Sequence, residues 1–135
     1  LGVLFTQQLV CESTGNNTNP QKETVEKLAI LWTTSEVEVA KKMIFIYAVN
    51  ALRNNWFQTV RLITWGPSKR LIHDNESIQS GIKKLREAGV ELYACKWCAD
   101  QYGLSDFLTG LGIEVVYYGE SLSRLIKGGW KVLTF

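Results

Sequence analysis

The chain is poor in the residues that most often betray a function. It holds a single histidine, His73, and two prolines, Pro20 and Pro67. Three cysteines, Cys11, Cys95 and Cys98, cannot build a disulfide framework in 135 residues. A zinc site takes about four ligands, and beyond the close pair Cys95/Cys98 only His73 and the remote Cys11 remain, so no metal is expected. No apolar run reaches the length of a bilayer span; the densest, residues 43–49, is far too short, which argues against a membrane. Neither sign of charge dominates, with 15 basic residues scattered among 13 acidic ones and a net charge of +2. Nucleic acid is therefore a poor partner, the more so because aromatic residues do not alternate with Lys and Arg. Neither G-x-G-x-x-G nor the Walker pattern G-x-x-x-x-G-K occurs. The hydroxyl-rich stretch Thr33-Thr34-Ser35 is too short to make a persuasive flavin phosphate loop, and no cofactor is expected. The cysteine usage suits a compartment that keeps thiols reduced, such as the cytoplasm.

What is present is a soluble core and a repeating plan. Hydrophobic residues make up 46% and charged residues 21%, enough for one domain with a real interior. Residues 1–25 read as a leader or arm, with the apolar cluster "LGVLF" and the polar run "STGNNTNP", and the domain proper spans 26–135. That leader lacks the basic start and cleavage pattern of a complete signal peptide; an expression remnant, the tail of a targeting segment and a docking arm all fit it. From residue 27, "KLAILW", "TVRLITW", "VELYAC", "IEVVYYG" and "WKVLTF" predict five strands. Helical patterns separate them. The first is expected to turn Val39, Met43, Ile46 and Val49 inward; the second puts Ile78, Ile82 and Leu85 on one face and stops at Gly89. A third helix closes at Gly112, and "ESLSRLIKGG" forms a fourth. Strand–helix alternation predicts an α/β fold, a three-layer sandwich around a mostly parallel five-stranded sheet. The stretch "MIFIYAV" is too apolar for one helix face of a monomer, which points to burial in an oligomer.

In such a sheet, ligands bind where the carboxyl ends of the strands lead into helices. The loops there contain Thr33, Thr34 and Ser35, then Gly66, Pro67, Ser68 and Lys69, then Cys95 to Cys98, then Gly119 and Glu120. Capping explains Ser35, Ser68 and Glu120 taken singly. Trp32 and Trp65 suit a core, Trp97 a pocket or subunit contact. His73 reads as a solvated residue rather than a base.

The chemistry rests on "ELYACKWCAD". Cys95 closes the third strand, at the expected amino end of the next helix, where free N–H groups stabilise a thiolate. Lys96 and Lys69 are candidates to add positive charge. Cys98, three residues on, is placed to form a disulfide with Cys95 or to resolve a persulfide on it. A thioredoxin-type site differs, since it follows the first strand, holds Gly-Pro between its cysteines and uses a later cis-proline. Two further readings stay open: a dithiol oxidoreductase using Cys95 and Cys98, and a non-catalytic oligomeric binding module with inert thiols.

The order "KLAILWTTSE", "TVRLITWGPS", "GIKKLREAGVELYACKWCAD", "LGIEVVYYGESL" and "GGWKVLTF" resembles the DsrE-like family of small sulfur-metabolism proteins. The resemblance covers residues 26–135, and "WGPS" and "AGVELYACKWCAD" carry most of it. It implies a five-stranded α/β fold, trimers or hexamers, and a sulfurtransferase-type carrier whose persulfide forms on the residue matching Cys95. Sulfur donor and acceptor proteins follow as partners. Cys98 is shared by only some members, so its resolving role is less firmly implied.

Overall fold

A computed structural model describes residues 24–135, so most of the expected leader lies outside the described residues. The strands are β1 (Lys27–Trp32), β2 (Thr59–Thr64), β3 (Glu91–Cys95), β4 (Glu114–Val116) and β5 (Lys131–Thr134). They form one sheet in the order β4-β3-β2-β1-β5, and every neighbouring pair is parallel. The apolar runs of β1 and β2 are explained by their central place, with neighbours on both edges and helices over both faces.

Between β1 and β2 run α1 (Val37–Val39), a π-helical segment (Ala40–Phe45) and α2 (Ile46–Arg53). Helices α3 (Ser68–Asp74) and α4 (Glu76–Glu87) precede β3, α5 (Lys96–Gln101) and α6 (Ser105–Gly110) precede β4, and α7 (Gly119–Lys127) precedes β5. One sheet face, through Leu28, Ile30, Trp32 and Leu62, packs on Ala48 and Ala51 of α2 and on Ile78, Ile82 and Leu85 of α4. The other face, through Ala29 and Ile63, packs on Leu125 of α7 and on Tyr118. The architecture is thus the three-layer α/β sandwich.

Helix α4 begins at Asn75, whose side chain accepts the Ile78 N–H at 3.1 Å, and ends before Gly89 at φ +94°. Its expected inward residues are the buried ones. The first helical stretch departs from expectation by one residue. Ala40, Ile44, Phe45, Ala48 and Ala51 are buried and Val39 and Val49 are partly buried against the same core, whereas Met43 and Ile46 are more than half exposed. The wide π turn presents two consecutive side chains, Ile44 and Phe45, to the core and so rotates the face that follows. The third helix is also corrected. It is two short helices, broken by a turn in which Gly103 adopts φ +65°. Strand β4 is shorter than "IEVVYYG", because Tyr118 leaves the ladder to fill the second core.

Candidate functional site

Cys95 is the last residue of β3, paired in register with Val116, and it is the N-cap of α5. Both Cys95 and Cys98 are free thiols, 4% and 9% exposed. The expected support from the helix start is absent: no first-turn N–H reaches the Cys95 side chain, and α5 has only six residues. A helix that short carries a correspondingly small dipole.

The positive charge comes from elsewhere. Lys69, the second residue of α3, is fully buried, and its Nζ donates to the Thr64 carbonyl oxygen at 2.9 Å. Burial pushes its ammonium below the ordinary lysine value, and the Cys98 and Cys95 sulfurs oppose that shift. Lys96 does not serve the thiols. Its Nζ lies 2.8 Å from Asp100 Oδ2 and 5.8 Å from the centre of the Tyr117 ring. The hydrogen bond to Asp100 holds Lys96 above its ordinary value, and the reciprocal bond holds Asp100 below its own.

The loop "WGPS" places Lys69. Gly66 turns the chain at φ +63°, a conformation that favours glycine, and Pro67 occupies the N-cap of α3. Ser68 does not cap that helix, contrary to the simplest expectation. Its buried hydroxyl donates to the Trp32 carbonyl at 2.8 Å and to that of Trp65 at 3.2 Å, tying α3 to the ends of two strands. Two buried polar atoms beside this tether have no hydrogen-bond partner among the described residues, Trp32 Nε1 and Thr64 Oγ1, on residues paired in register across β1 and β2. No sequence signal marks them.

The other edge residues divide. Thr33 and Thr34 serve the sheet, since the Thr33 hydroxyl and N–H each donate to the Phe135 carbonyl at 2.7 Å. Thr34 Oγ1 accepts the Glu36 N–H at 3.1 Å, while Ser35 is exposed and caps nothing. Gly119 opens α7, and Glu120 pairs with Arg124 one turn on rather than capping. Trp97 is 63% exposed beside the thiols. Trp32 and Trp65 pack in the two cores. His73 holds Asp74 through Nδ1 at 2.7 Å and stacks edge-on against Phe107. Among the described residues no three His, Cys, Asp or Glu side chains cluster closely enough to hold a metal ion.

Away from the thiols, a second constellation spans the thinly covered face. The Arg61 guanidinium lies 4.6 Å from the Tyr93 ring centre and 4.8 Å from that of Trp130. It also meets Glu91 at 2.6 Å and the Tyr118 hydroxyl at 3.1 Å. Burial acts to lower its pKa, yet these hydrogen bonds raise it overall. Burial pushes the Tyr118 phenol up, against the pull of Arg61.

A parallel sheet ordered 4-3-2-1-5, with a thiol closing the third strand, defines a small α/β protein of thiol-bearing type. The chain belongs to the DsrE/DsrF-like family, whose model matches residues 16–135. Among solved structures it resembles the conserved protein of unknown function BT1422 from Bacteroides thetaiotaomicron. The two share 33% identity and a TM-score of 0.79, over 82% of this chain and 95% of that one. MTH1491 from Methanobacterium thermoautotrophicum, also described as of unknown function, shares the fold at 18% identity and a TM-score of 0.65. The ychN protein of E. coli does so at 20% and 0.64; each comparison covers 82% of this chain and 99% of the other. No curated protein matches.

Proposed function

We propose that the protein carries sulfane sulfur as a persulfide on Cys95, within the cytoplasm, between a donor protein and an acceptor protein. The observation that carries this reading is a free thiol closing β3 at the ligand-binding edge of a parallel sheet, in a chain of the DsrE/DsrF-like family. In loading, the Cys95 thiolate attacks the outer sulfur of a donor persulfide. A Cys95–sulfur bond forms, the donor S–S bond breaks, and the electron pair leaves on the donor thiolate. In delivery, an acceptor thiolate attacks that same outer sulfur and the pair returns to Cys95. Thiolate count and oxidation state balance across each step, so no oxidant is needed.

Assembly into a trimer or hexamer belongs to the same proposal. Met43, Ile46, Trp97, Tyr117 and Ile126 leave large apolar surfaces uncovered, as a second copy or a partner would require. Trp97, beside the thiols, is a suitable aromatic anchor for a partner.

Burial of both cysteines favours a second reading, a binding module whose thiols are inert. One experiment separates the two. Reduced protein is incubated with a sulfane donor and weighed intact. The carrier reading expects a gain of one sulfur atom that disappears in Cys95→Ser. No gain, or an equal gain in that variant, supports the binding module.

A further inference from the structure

Lys69 is a fully buried lysine, and lysines almost never reach that state unpaired. An ammonium has three N–H donors. One reaches the Thr64 carbonyl, and no acceptor takes the other two among the described residues. Nor does a carboxylate pair with it there, where the ion pairs are Arg61–Glu91, His73–Asp74, Lys96–Asp100 and Arg124–Glu120. Its ammonium is coupled electrostatically to two sulfurs, Cys98 more strongly and then Cys95.

The backbone fixes this arrangement. Thr64, whose carbonyl anchors Lys69, pairs in register with Ala94, so the anchor lies one residue from Cys95 along the neighbouring strand. The Ser68 hydroxyl pins the preceding residue to β1. Charged groups on the neighbouring elements are engaged elsewhere: Arg70 over the Tyr102 ring at 4.7 Å, His73 with Asp74, and Lys96 with Asp100.

We propose that Lys69 is the resident counter-ion of the sulfur site, holding negative charge on Cys98 and Cys95 and on the sulfur that leaves when a persulfide is delivered. The last part rests on the carrier reading; the coupling to the two thiols does not. When an acceptor takes the outer sulfur, the electron pair of the broken S–S bond returns to Cys95, and Lys69 meets that charge. A better stabilised thiolate leaves faster. Lys69 thereby binds Cys98 into the site, giving it a role beyond packing.

The test needs no sulfur donor. In Lys69→Met, alkylation of each cysteine by iodoacetamide is followed across pH by peptide mass spectrometry. Reaction near neutral pH is expected to slow by about tenfold, with Cys98 affected at least as much as Cys95. Unchanged profiles overturn the proposal. A reciprocal measurement does not depend on that variant folding. Because coupling is mutual, the titration midpoint of Lys69, read by NMR of its side chain, must fall in Cys95→Ser/Cys98→Ser relative to the parent chain. An unmoved midpoint overturns the proposal equally. Intact coupling without persulfide loading would sink the carrier reading alone.

Discussion

Replacing Lys69 with methionine should cost the fold no more than about 2 kcal/mol, although the residue is fully buried. The argument is a contest of magnitudes. Exchanging buried charge for well-packed apolar residues is commonly neutral or stabilising by about 1–4 kcal/mol. Against this stands the one hydrogen bond to the Thr64 carbonyl, worth about 1–2 kcal/mol. A linear apolar side chain of similar length fills the same space. The net change in Lys69→Met therefore lies between a loss of about 2 and a gain of about 3 kcal/mol. The pH dependence sharpens the prediction. Because burial lowers the folded-state pKa of Lys69 below its ordinary 10.5, the unfolded chain binds the extra proton in the window beneath that value. Stability attributable to Lys69 therefore rises as pH climbs through the window, by at most about 1.4 kcal/mol per pH unit. In Lys69→Met that slope should vanish. Urea denaturation at a series of pH values would measure both effects, with Cys95→Ser/Cys98→Ser as the parent so that thiol ionisation adds nothing. A loss of more than about 2 kcal/mol at neutral pH, or a slope equal to the parent's, would refute the reasoning and make Lys69 a structural residue.

Gly81→Ala tests the packing of α4. Helix propensity alone favours alanine by about 1 kcal/mol, but a Cβ at Gly81 would stand 2.6 Å from Phe45 Cδ2. That ring cannot swing freely, since it meets Trp32 edge-on at 5.4 Å. Overpacking of about 1–3 kcal/mol should win, so the variant is expected to melt earlier and Phe45→Leu to restore it; a more stable Gly81→Ala contradicts this. Arg61→Lys keeps the charge but loses the planar group held between Tyr93 and Trp130. A cost of about 1–2 kcal/mol in urea denaturation is expected, and wild-type stability in that variant would show the stacking to be incidental.

The parts of this protein that were legible in its sequence are those set by local pattern. "KLAILW" is β1 from end to end, and Ile78, Ile82 and Leu85 are the buried row of α4, because strand and helix periodicities act over a few neighbouring residues. Gly89 stops α4 for an equally local reason, a left-handed turn. Cys95 at the end of β3 follows from the same logic, since a strand's last residue before a helix can be counted along the chain.

Contacts between distant segments were decided by the tertiary structure alone. The π turn at Ala40–Phe45 turned Met43 and Ile46 of the expected inward row outward and left Val39 and Val49 partly buried, an outcome of how Ile44 and Phe45 fit the sheet and α4. Ser68 was spent on the carbonyls of Trp32 and Trp65 rather than on its own helix. Of the two lysines that the sequence offered, the structure buries Lys69, 26 positions before Cys95, with its ammonium coupled to the thiols, and turns Lys96 to Asp100. The physical reason is that spacing along a chain fixes which face a residue occupies. Burial, and the company a charge keeps, depend on which strands and loops the sheet order brings together.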